Sequence, residues 1–487
     1  MKVVLFALNG SWSHTNLAIR CLRAPLEREG FCVTLVEQTL HDRTAHVLER
    51  LWREDAEVYG FSCYIWNLSA QLELARELHK LRPAARILLG GPEVSFATER
   101  FDCLDFVDTV VAGVGEEAVV ELCRRVREGG PLPRVLHAAP IPVMPGEGIL
   151  YRNGEGGSTL YYESSRGCPF RCAYCLSSAT EGVRFKSVAE TLADLEAFEA
   201  LEGSFRIIKF VDRSFNADVR RANEIWRALL DDRFTKHYQF EVCASLLNEE
   251  SFEILSHFPK GKIQLEFGLQ STNPETLAAS ARQIDPARVI AAVKRIYEMG
   301  NIHVHLDLIA GLPYESYARF AKSFDDAYGC CDLLQLGFLK LLHGTELRAR
   351  MEEYGYQCLS EPPYTVLENR WISYPELQKL SRIAEVLERV LESGRFSHAL
   401  YYLTPRMRSP FAFWEGLCDH LAEVDGRPLQ KRSQPEIYRA FFDYAAELDG
   451  VDREALREML AADFSQHEHK NPPAFLRASS NAMKNEE

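Results

Sequence analysis

Residues 166–175 read Arg166-Gly167-Cys168-Pro169-Phe170-Arg171-Cys172-Ala173-Tyr174-Cys175. On a short loop, the spacing C-x3-C-x2-C lets three thiolates each reach a different iron of one iron–sulfur cube. The run holds no fourth cysteine, so one iron stays open to bind and activate a small molecule. A structural zinc site wants four tetrahedral ligands, and no further cysteine or histidine stands close by to complete it.

Strands and helices alternate on both sides of this run. Downstream, strands are expected over residues 158–164, 205–211, 239–244, 262–269, 303–309 and 333–339, with helices between them. Upstream, apolar strands are expected over 2–8, 32–37, 57–64, 86–90 and 107–112, and helices over 17–29, 45–52 and 69–81. Strands this apolar, each followed by a helix, predict a parallel doubly wound sheet. Such sheets bind ligands on loops at the carboxyl ends of their strands. Those loops hold Asn9-Gly10-Ser11, Ser62-Cys63-Tyr64, Gly90-Gly91-Pro92-Glu93 and Gly113-Val114-Gly115-Glu116-Glu117. A Pro- and Gly-rich linker, Pro131-Leu132-Pro133 and then residues 140–157, ends this part.

Residues 346–487 read mainly helical. Ser373-Tyr374-Pro375-Glu376 is a capping box with proline at the first helical position. Leu380, Ile383, Leu387 and Leu391 follow at helical spacing, and Gly394 is expected to end the helix. Tyr401, Tyr402, Phe411, Phe413 and Trp414 either cap a pocket or fill a helical core, the commoner use of such residues. The last twenty or so residues are polar and expected to fray.

At 487 residues, two or three domains are expected. A formal net charge of −14 argues against binding a phosphate backbone, so no nucleic-acid partner is expected. No stretch approaches the roughly 20 apolar residues that span a bilayer, so no membrane partner is expected either. The opening Met1-Lys2-Val3-Val4-Leu5-Phe6-Ala7-Leu8 is too short for a signal-peptide core and reads as a buried first strand. A cytoplasmic location, where thiols stay reduced, follows. The cysteines outside the run are scattered, and the pair Cys330-Cys331 has no partners at ligand spacing, so these read as core residues.

The cysteine run resembles the signature of the radical S-adenosylmethionine (SAM) enzymes, down to the aromatic Tyr174 before the third cysteine. The resemblance implies a [4Fe-4S] cluster on Cys168, Cys172 and Cys175, with SAM chelating the open iron. SAM is then cleaved by one electron to methionine and a 5′-deoxyadenosyl radical. It also implies an electron donor such as flavodoxin or ferredoxin. The strand–helix repeats around the run match that family's open, partial (β/α)6 barrel, here over 150–345. Further elements carry the likeness. Tyr174 stands where backbone meets adenine. Phe210-Val211-Asp212-Arg213-Ser214-Phe215-Asn216 resembles Phe-x-Asp-Asp-x-Phe, with Arg213 in place of the second aspartate. Glu266-Phe267-Gly268-Leu269-Gln270-Ser271 is similar to the stretch that meets ribose and methionine, with Gln270 where many relatives carry glutamate. Asp307-Leu308-Ile309-Ala310-Gly311-Leu312-Pro313-Tyr314-Glu315 is similar to the element that packs on adenine through Gly311.

Residues 1–140 resemble the cobalamin-binding domain that precedes the barrel in a large subfamily. Ser62 and the pair Gly90-Gly91, with Gly113 and Gly115, are implied to line the cofactor channel. The Asp-x-His-x-x-Gly motif is absent, because His14 has no aspartate two residues before it. Cobalamin without a histidine lower ligand is therefore implied; a sheet that holds nothing or recruits a partner is the alternative. The fold class expected is α/β: a doubly wound N-terminal sheet, a partial barrel and a helical C-terminal domain.

The resemblance implies a methyltransferase acting on carbon of a small-molecule or peptide substrate, with cyclisation, rearrangement or oxidation as alternatives. A non-enzymatic electron-transfer or sensor protein would not need the SAM elements. Methylthiolation of transfer RNA would need an N-terminal cysteine trio and a basic tail; Cys21, Cys32 and Cys63 are dispersed and the C-terminus is not basic. His303, His305 and Asp307 alternate along one strand and share a face. Facing the barrel they are catalytic candidates to position or deprotonate substrate; facing the helices they are structural.

Overall fold

The apolar run Val3-Val4-Leu5-Phe6-Ala7-Leu8 has no solvent face, and all six residues are buried. It forms β1 (Lys2–Asn9), with Val4, Phe6 and Leu8 in one core layer and Val3, Leu5 and Ala7 in the other. This computed structural model describes residues 1–138, 150–179, 182–203, 205–468 and 471–477. With β2 (Cys32–Thr39), β3 (Val58–Ser62), β4 (Arg86–Gly90), β5 (Thr109–Ala112) and β6 (Val135–His137), β1 builds a parallel sheet ordered β2-β1-β3-β4-β5-β6. Helices α1 (Leu17–Arg28) and α4 (Gly115–Glu128) pack together on one face, and α2 (Thr44–Arg53) and α3 (Leu68–Leu81) on the other. The order reverses between β1 and β3, so the loops after these strands part and open a crevice at the carboxyl edge.

Strand β6 was not expected. Its three residues lie between the two stretches read as linker and are too short for a periodic signal. Residues 140–149 of that linker, and 478–487 of the tail expected to fray, lie outside the described residues.

A second parallel sheet follows, ordered β14-β13-β12-β11-β10-β7. It begins at β7 (Thr159–Tyr162). Two short antiparallel strands, β8 (Ser165–Gly167) and β9 (Val183–Phe185), then bracket the cysteine run. The sheet continues with β10 (Ile207–Phe210), β11 (His237–Glu241), β12 (Ile263–Gln270), β13 (His303–Ala310) and β14 (Leu333–Phe338). Between them run α5 (Val188–Glu199), α6 (Val219–Ala228), α7 (Glu249–Ser256), α8 (Pro274–Ala279), α9 (Pro286–Met299) and α10 (Tyr317–Ala327). Strand β7 is not paired with β14, so the barrel stays open.

These strands differ from those of the first sheet. In β12 every second residue is buried: Ile263, Leu265, Phe267 and Leu269 enter the core beneath the helices, while Gln264, Glu266, Gly268 and Gln270 face away. One face of this parallel sheet is therefore polar.

The C-terminal part contains α11 (Glu346–Ala349), the hairpin β15 (Gln357–Cys358) and β16 (Val366–Glu368), and helices α12 (Tyr374–Val390), α13 (Ser397–Leu403), α14 (Pro410–Asp425), α15 (Gln434–Ala445) and α16 (Arg453–Glu468). The capping box at Ser373 forms, but α12 stops at Val390 and Gly394 lies beyond it, a correction to the expected end. Asp325 on α10 accepts from Ser409 Oγ (2.7 Å) and the Phe411 amide (2.6 Å) at the start of α14. Phe411, Phe413 and Trp414 are core, whereas Tyr401 stands 87% exposed on the surface. Cys330 is buried and donates to the Ala327 carbonyl (3.0 Å).

Candidate functional site

The cysteine run is held from several sides. At its start, Asp212 beyond β10 is completely buried and accepts from the Ser164 amide (3.0 Å), Ser164 Oγ (2.7 Å) and Ser165 Oγ. In the middle, the Ala173 amide donates to the Ser280 carbonyl (2.9 Å) and the Ala173 carbonyl accepts from the Leu347 amide (2.9 Å). Arg282 Nη1 lies 3.6 Å from Cys172 Sγ and 3.4 Å from the Tyr174 hydroxyl, and Nη2 donates to the Gly268 carbonyl. The Ser177 amide approaches Cys175 Sγ at 3.4 Å. Burial pushes the Cys168 thiol up, with hydrogen bonds from the Phe170 backbone and Ser214 opposing and the Cys175 and Cys172 thiols adding to the rise.

The polar face of the second sheet runs away from this loop. Lys209 reaches Glu266 (3.4 Å), Glu266 lies 3.9 Å from His305 Nδ1, and His305 Nε2 lies 3.0 Å from Asp307 Oδ1. His305 and Asp307 thus face the open side with Glu266, whereas His303 sits at the rim, 3.7 Å from Asp332. Burial pulls the His305 imidazole down, but Asp307, Glu266 and Gln335 outweigh it and raise its pKa. Burial, with Glu266 and Asp307 nearby, lifts Glu241 to about 7 against the pull of Arg213 and Lys209.

Between the two sheets lies a cavity of about 750 Å³. From the first sheet it is lined by Gly10, Ser62, Gly90, Gly91, Gly113 and Gly115, and by Tyr64 and Trp66, whose rings stack at 4.3 Å. From the second sheet Tyr161, Arg166, Val211 and Arg213 line it. The seam is bonded: the Thr159 amide donates to the Ser13 carbonyl (2.9 Å), His14 Nδ1 and the Tyr161 hydroxyl are 2.7 Å apart, and Arg166 donates to Glu116 (2.9 Å). Gly91 has φ 115°, and a Cβ there would stand 3.0 Å from the Cys63 amide nitrogen and closer still to its carbonyl.

Residues 4–123 match the B12 binding domain family, and residues 162–327 match the Radical SAM superfamily. The first sheet is a B12-binding domain and the barrel a radical SAM domain. Residues 352–487 match a family described as a protein of unknown function, DUF4080. Among curated proteins, the 2-(S-pantetheinyl)-carbapenam-3-carboxylate methyltransferase of Streptantibioticus cattleyicolor is 28% identical over 319 residues, 58% of this chain and 45% of that protein. The cobalamin-dependent radical SAM methyltransferase TokK of Streptomyces tokunonensis is 27% identical over 356 residues, 64% of this chain and 51% of that protein. The chain thus spans about half the length of these curated relatives. Among solved structures, the cobalamin-dependent S-adenosylmethionine radical enzyme OxsB aligns with a TM-score of 0.64 at 13% identity over 96% of this chain and 79% of that one, a likeness of fold.

The domains imply a [4Fe-4S] cluster, SAM and cobalamin, and the residues present fit them. The three thiols of the run, which holds no fourth cysteine, suit a cluster with an open iron. In the radical SAM domain, Gln270 Oε1 is buried with no hydrogen-bond partner among the described residues, at a β-bulge with φ 71°. In the B12-binding domain, Gly10, Gly90, Gly91, Gly113 and Gly115 bring backbone to the wall of a cavity whose volume suits a large ligand.

The sequence-derived residues fall in different places. Ser62, Gly90, Gly91, Gly113 and Gly115 meet around the cavity. Tyr174 stands on the cysteine run against Arg282, and Glu266 and Gln270 lie on the polar face of β12. Gly311 instead offers its carbonyl to Tyr356 Oη (3.0 Å) and Asn369 Nδ2 (2.9 Å) of the C-terminal part. The Asp212 carboxylate is turned into the core and used by Ser164 and Ser165, so the structure gives it the role of clamping the loop rather than the cofactor contact expected. Arg282, Tyr161 and Arg166 went unread. For Arg166 the signal was its place two residues before Cys168; for Arg282 no local pattern exists.

Proposed function

We propose that this protein is a cobalamin-dependent radical SAM methyltransferase that adds a methyl group to carbon of a small-molecule or peptide substrate. The observation that carries the reading is the cavity shared by the glycine loops of the B12-binding domain and the strand ends beside the cysteine run. The methyltransferases named above support it. When bound, the cluster with SAM supplies a carbon-centred radical and cobalamin a methyl group.

The chain's own residues do the rest. Cys168, Cys172 and Cys175 hold the cluster, and Arg282 braces Cys172 and Tyr174. Glu266 and Gln270 flank the SAM site beside Tyr174. Ser62, Gly90, Gly91, Gly113 and Gly115 let backbone approach cobalamin. His305, backed by Asp307, positions the substrate on the polar face, and Tyr161 and Arg166 wall the cavity on the side of the cysteine run. The boundaries of this division of labour are 1–140, 150–345 and 346–487. A flavodoxin or ferredoxin delivers electrons in the cytoplasm. Among the described residues no helix is long and apolar enough to cross a membrane.

The test is anaerobic reconstitution with iron, sulfide and hydroxocobalamin, followed by SAM and reductant. Retained cobalamin with formation of both 5′-deoxyadenosine and S-adenosylhomocysteine is expected. 5′-Deoxyadenosine alone would replace methyl transfer by cyclisation, rearrangement or oxidation. Neither product from a protein with an intact cluster would refute the enzyme.

A further inference from the structure

The loop after β4, residues 91–100, spans two of the turns that line the cavity. Ser95 Oγ donates to the Gly91 carbonyl (2.8 Å) and accepts from the Gly113 amide (3.0 Å). One hydroxyl therefore fixes the spacing of both turns. Arg100 gathers the remainder of the loop, donating to the carbonyls of Glu93 (2.8 Å), Ala97 (3.1 Å) and Phe96 (3.3 Å).

This loop is also gripped from far along the chain. Arg100 Nη1 donates to the Tyr364 hydroxyl oxygen (2.7 Å) and reaches Glu93 Oε1 (3.2 Å), and Tyr364 Oη donates to the same Glu93 oxygen (2.6 Å). Glu93 is 4% exposed and Tyr364 1%. A carboxylate so buried must be neutralised and hydrogen-bonded, and Arg100 and Tyr364 together do this. Tyr364 has φ 56°, a left-handed conformation uncommon for a bulky residue. Beside it, His343 meets the Tyr364 ring edge-on at 5.0 Å, and a Cβ on Gly344 would overlap the Phe96 ring. Two contacts from residues 343–364 thus land on the one loop that staples Gly91 to Gly113.

We propose that the C-terminal domain of unknown function clasps the B12-binding domain through Tyr364, which acts on Glu93 and Arg100 as a positioning residue for cobalamin retention. The proposal rests on the cobalamin reading above. Without the Tyr364 hydroxyl, Glu93 loses an acceptor bond made at full burial, the 91–100 loop loosens, and the Ser95 staple no longer holds the two turns at one spacing.

The test uses full-length protein with its cluster reconstituted, titrated anaerobically with hydroxocobalamin and read by absorbance. Tyr364→Phe is expected to weaken binding about tenfold or more, the loss of one hydrogen bond to a charged acceptor, with iron content unchanged. Tyr59→Phe removes a buried hydroxyl that donates to the Leu51 carbonyl (3.1 Å) near the amino end of β3; it is expected to bind as the parent does. Adding Tyr364→Phe to Glu93→Gln is expected to weaken binding no further, because the two act as a pair. Equal affinity of Tyr364→Phe and the parent, equal losses in the two tyrosine variants, or additive losses in the double variant would overturn the clasp and leave the cobalamin reading standing. A parent that does not bind hydroxocobalamin would overturn both.

Discussion

Replacing Asp212 by asparagine should change how stability depends on pH. Asp212 is wholly buried, and burial lifts its carboxyl from the ordinary 3.8 to about 6, against the opposing pull of its bonds to Ser165 and Ser164. The folded chain therefore holds this proton more tightly than the unfolded chain does. The resulting stabilisation is complete below pH 3.8 and is lost as the pH rises through about 6. A gap of about two pH units corresponds to ~3 kcal/mol, of which about 1.4 kcal/mol falls between pH 5 and pH 8. Asparagine never ionises, and its carbonyl oxygen can still accept from the Ser164 amide, while the two serine hydroxyls turn to accept from its NH2. Relative to the parent, Asp212→Asn should thus gain about 1.4 kcal/mol between pH 5 and pH 8. Urea unfolding of the cluster-free proteins at a series of pH values, followed by circular dichroism, measures the difference, and most other titrating groups cancel. A constant offset between the two proteins across that interval would refute the argument.

Three further outcomes are expected. Cys172→Ala removes one of three thiols from the shared site and should abolish stable cluster assembly, read as iron and acid-labile sulfide per chain; full incorporation would show that the ligand set lies elsewhere. Gly91→Ala forces a side chain into φ 115° against Cys63 and should cost about 2 kcal/mol or more, seen as a lower unfolding midpoint together with lost cobalamin uptake. Asp307→Asn removes a leading cause of the raised His305 pKa while burial continues to lower it, so the imidazole should titrate at a lower pH than in the parent by NMR. In the parent, the His305 contribution to stability is present below pH 6.5 and fades as the pH climbs through the raised value; an unchanged titration in the variant would remove Asp307 from that account.

The architecture was largely readable because both sheets write their periods into the chain. β1 is apolar at consecutive positions, and β12 alternates strictly. The cysteine run and the glycine turns were readable for a different reason: each is local, and its chemistry follows from spacing. What escaped depends on contacts between distant segments. Nothing near Arg282 says that it will meet Cys172, 110 positions earlier, and nothing near Tyr364 points to Glu93, 271 positions away. Asp212 shows the opposite difficulty. A recognisable element marked it for a cofactor, but whether its carboxylate turns toward a cofactor or toward two serines is decided by packing, which no motif encodes.

The strict alternation in the barrel strands has a consequence for how this protein can change. Ile263, Leu265, Phe267 and Leu269 anchor β12 to the helices behind it, while Gln264 and Glu266 contribute little to that anchoring. The same separation holds in β11, where Tyr238 and Phe240 are core and Gln239 and Glu241 are not. Mutations that redraw the polar face can therefore accumulate without eroding the scaffold. Lineages carrying this chain have room to trade one substrate for another at small thermodynamic cost, provided that the cysteine loop and its braces stay fixed.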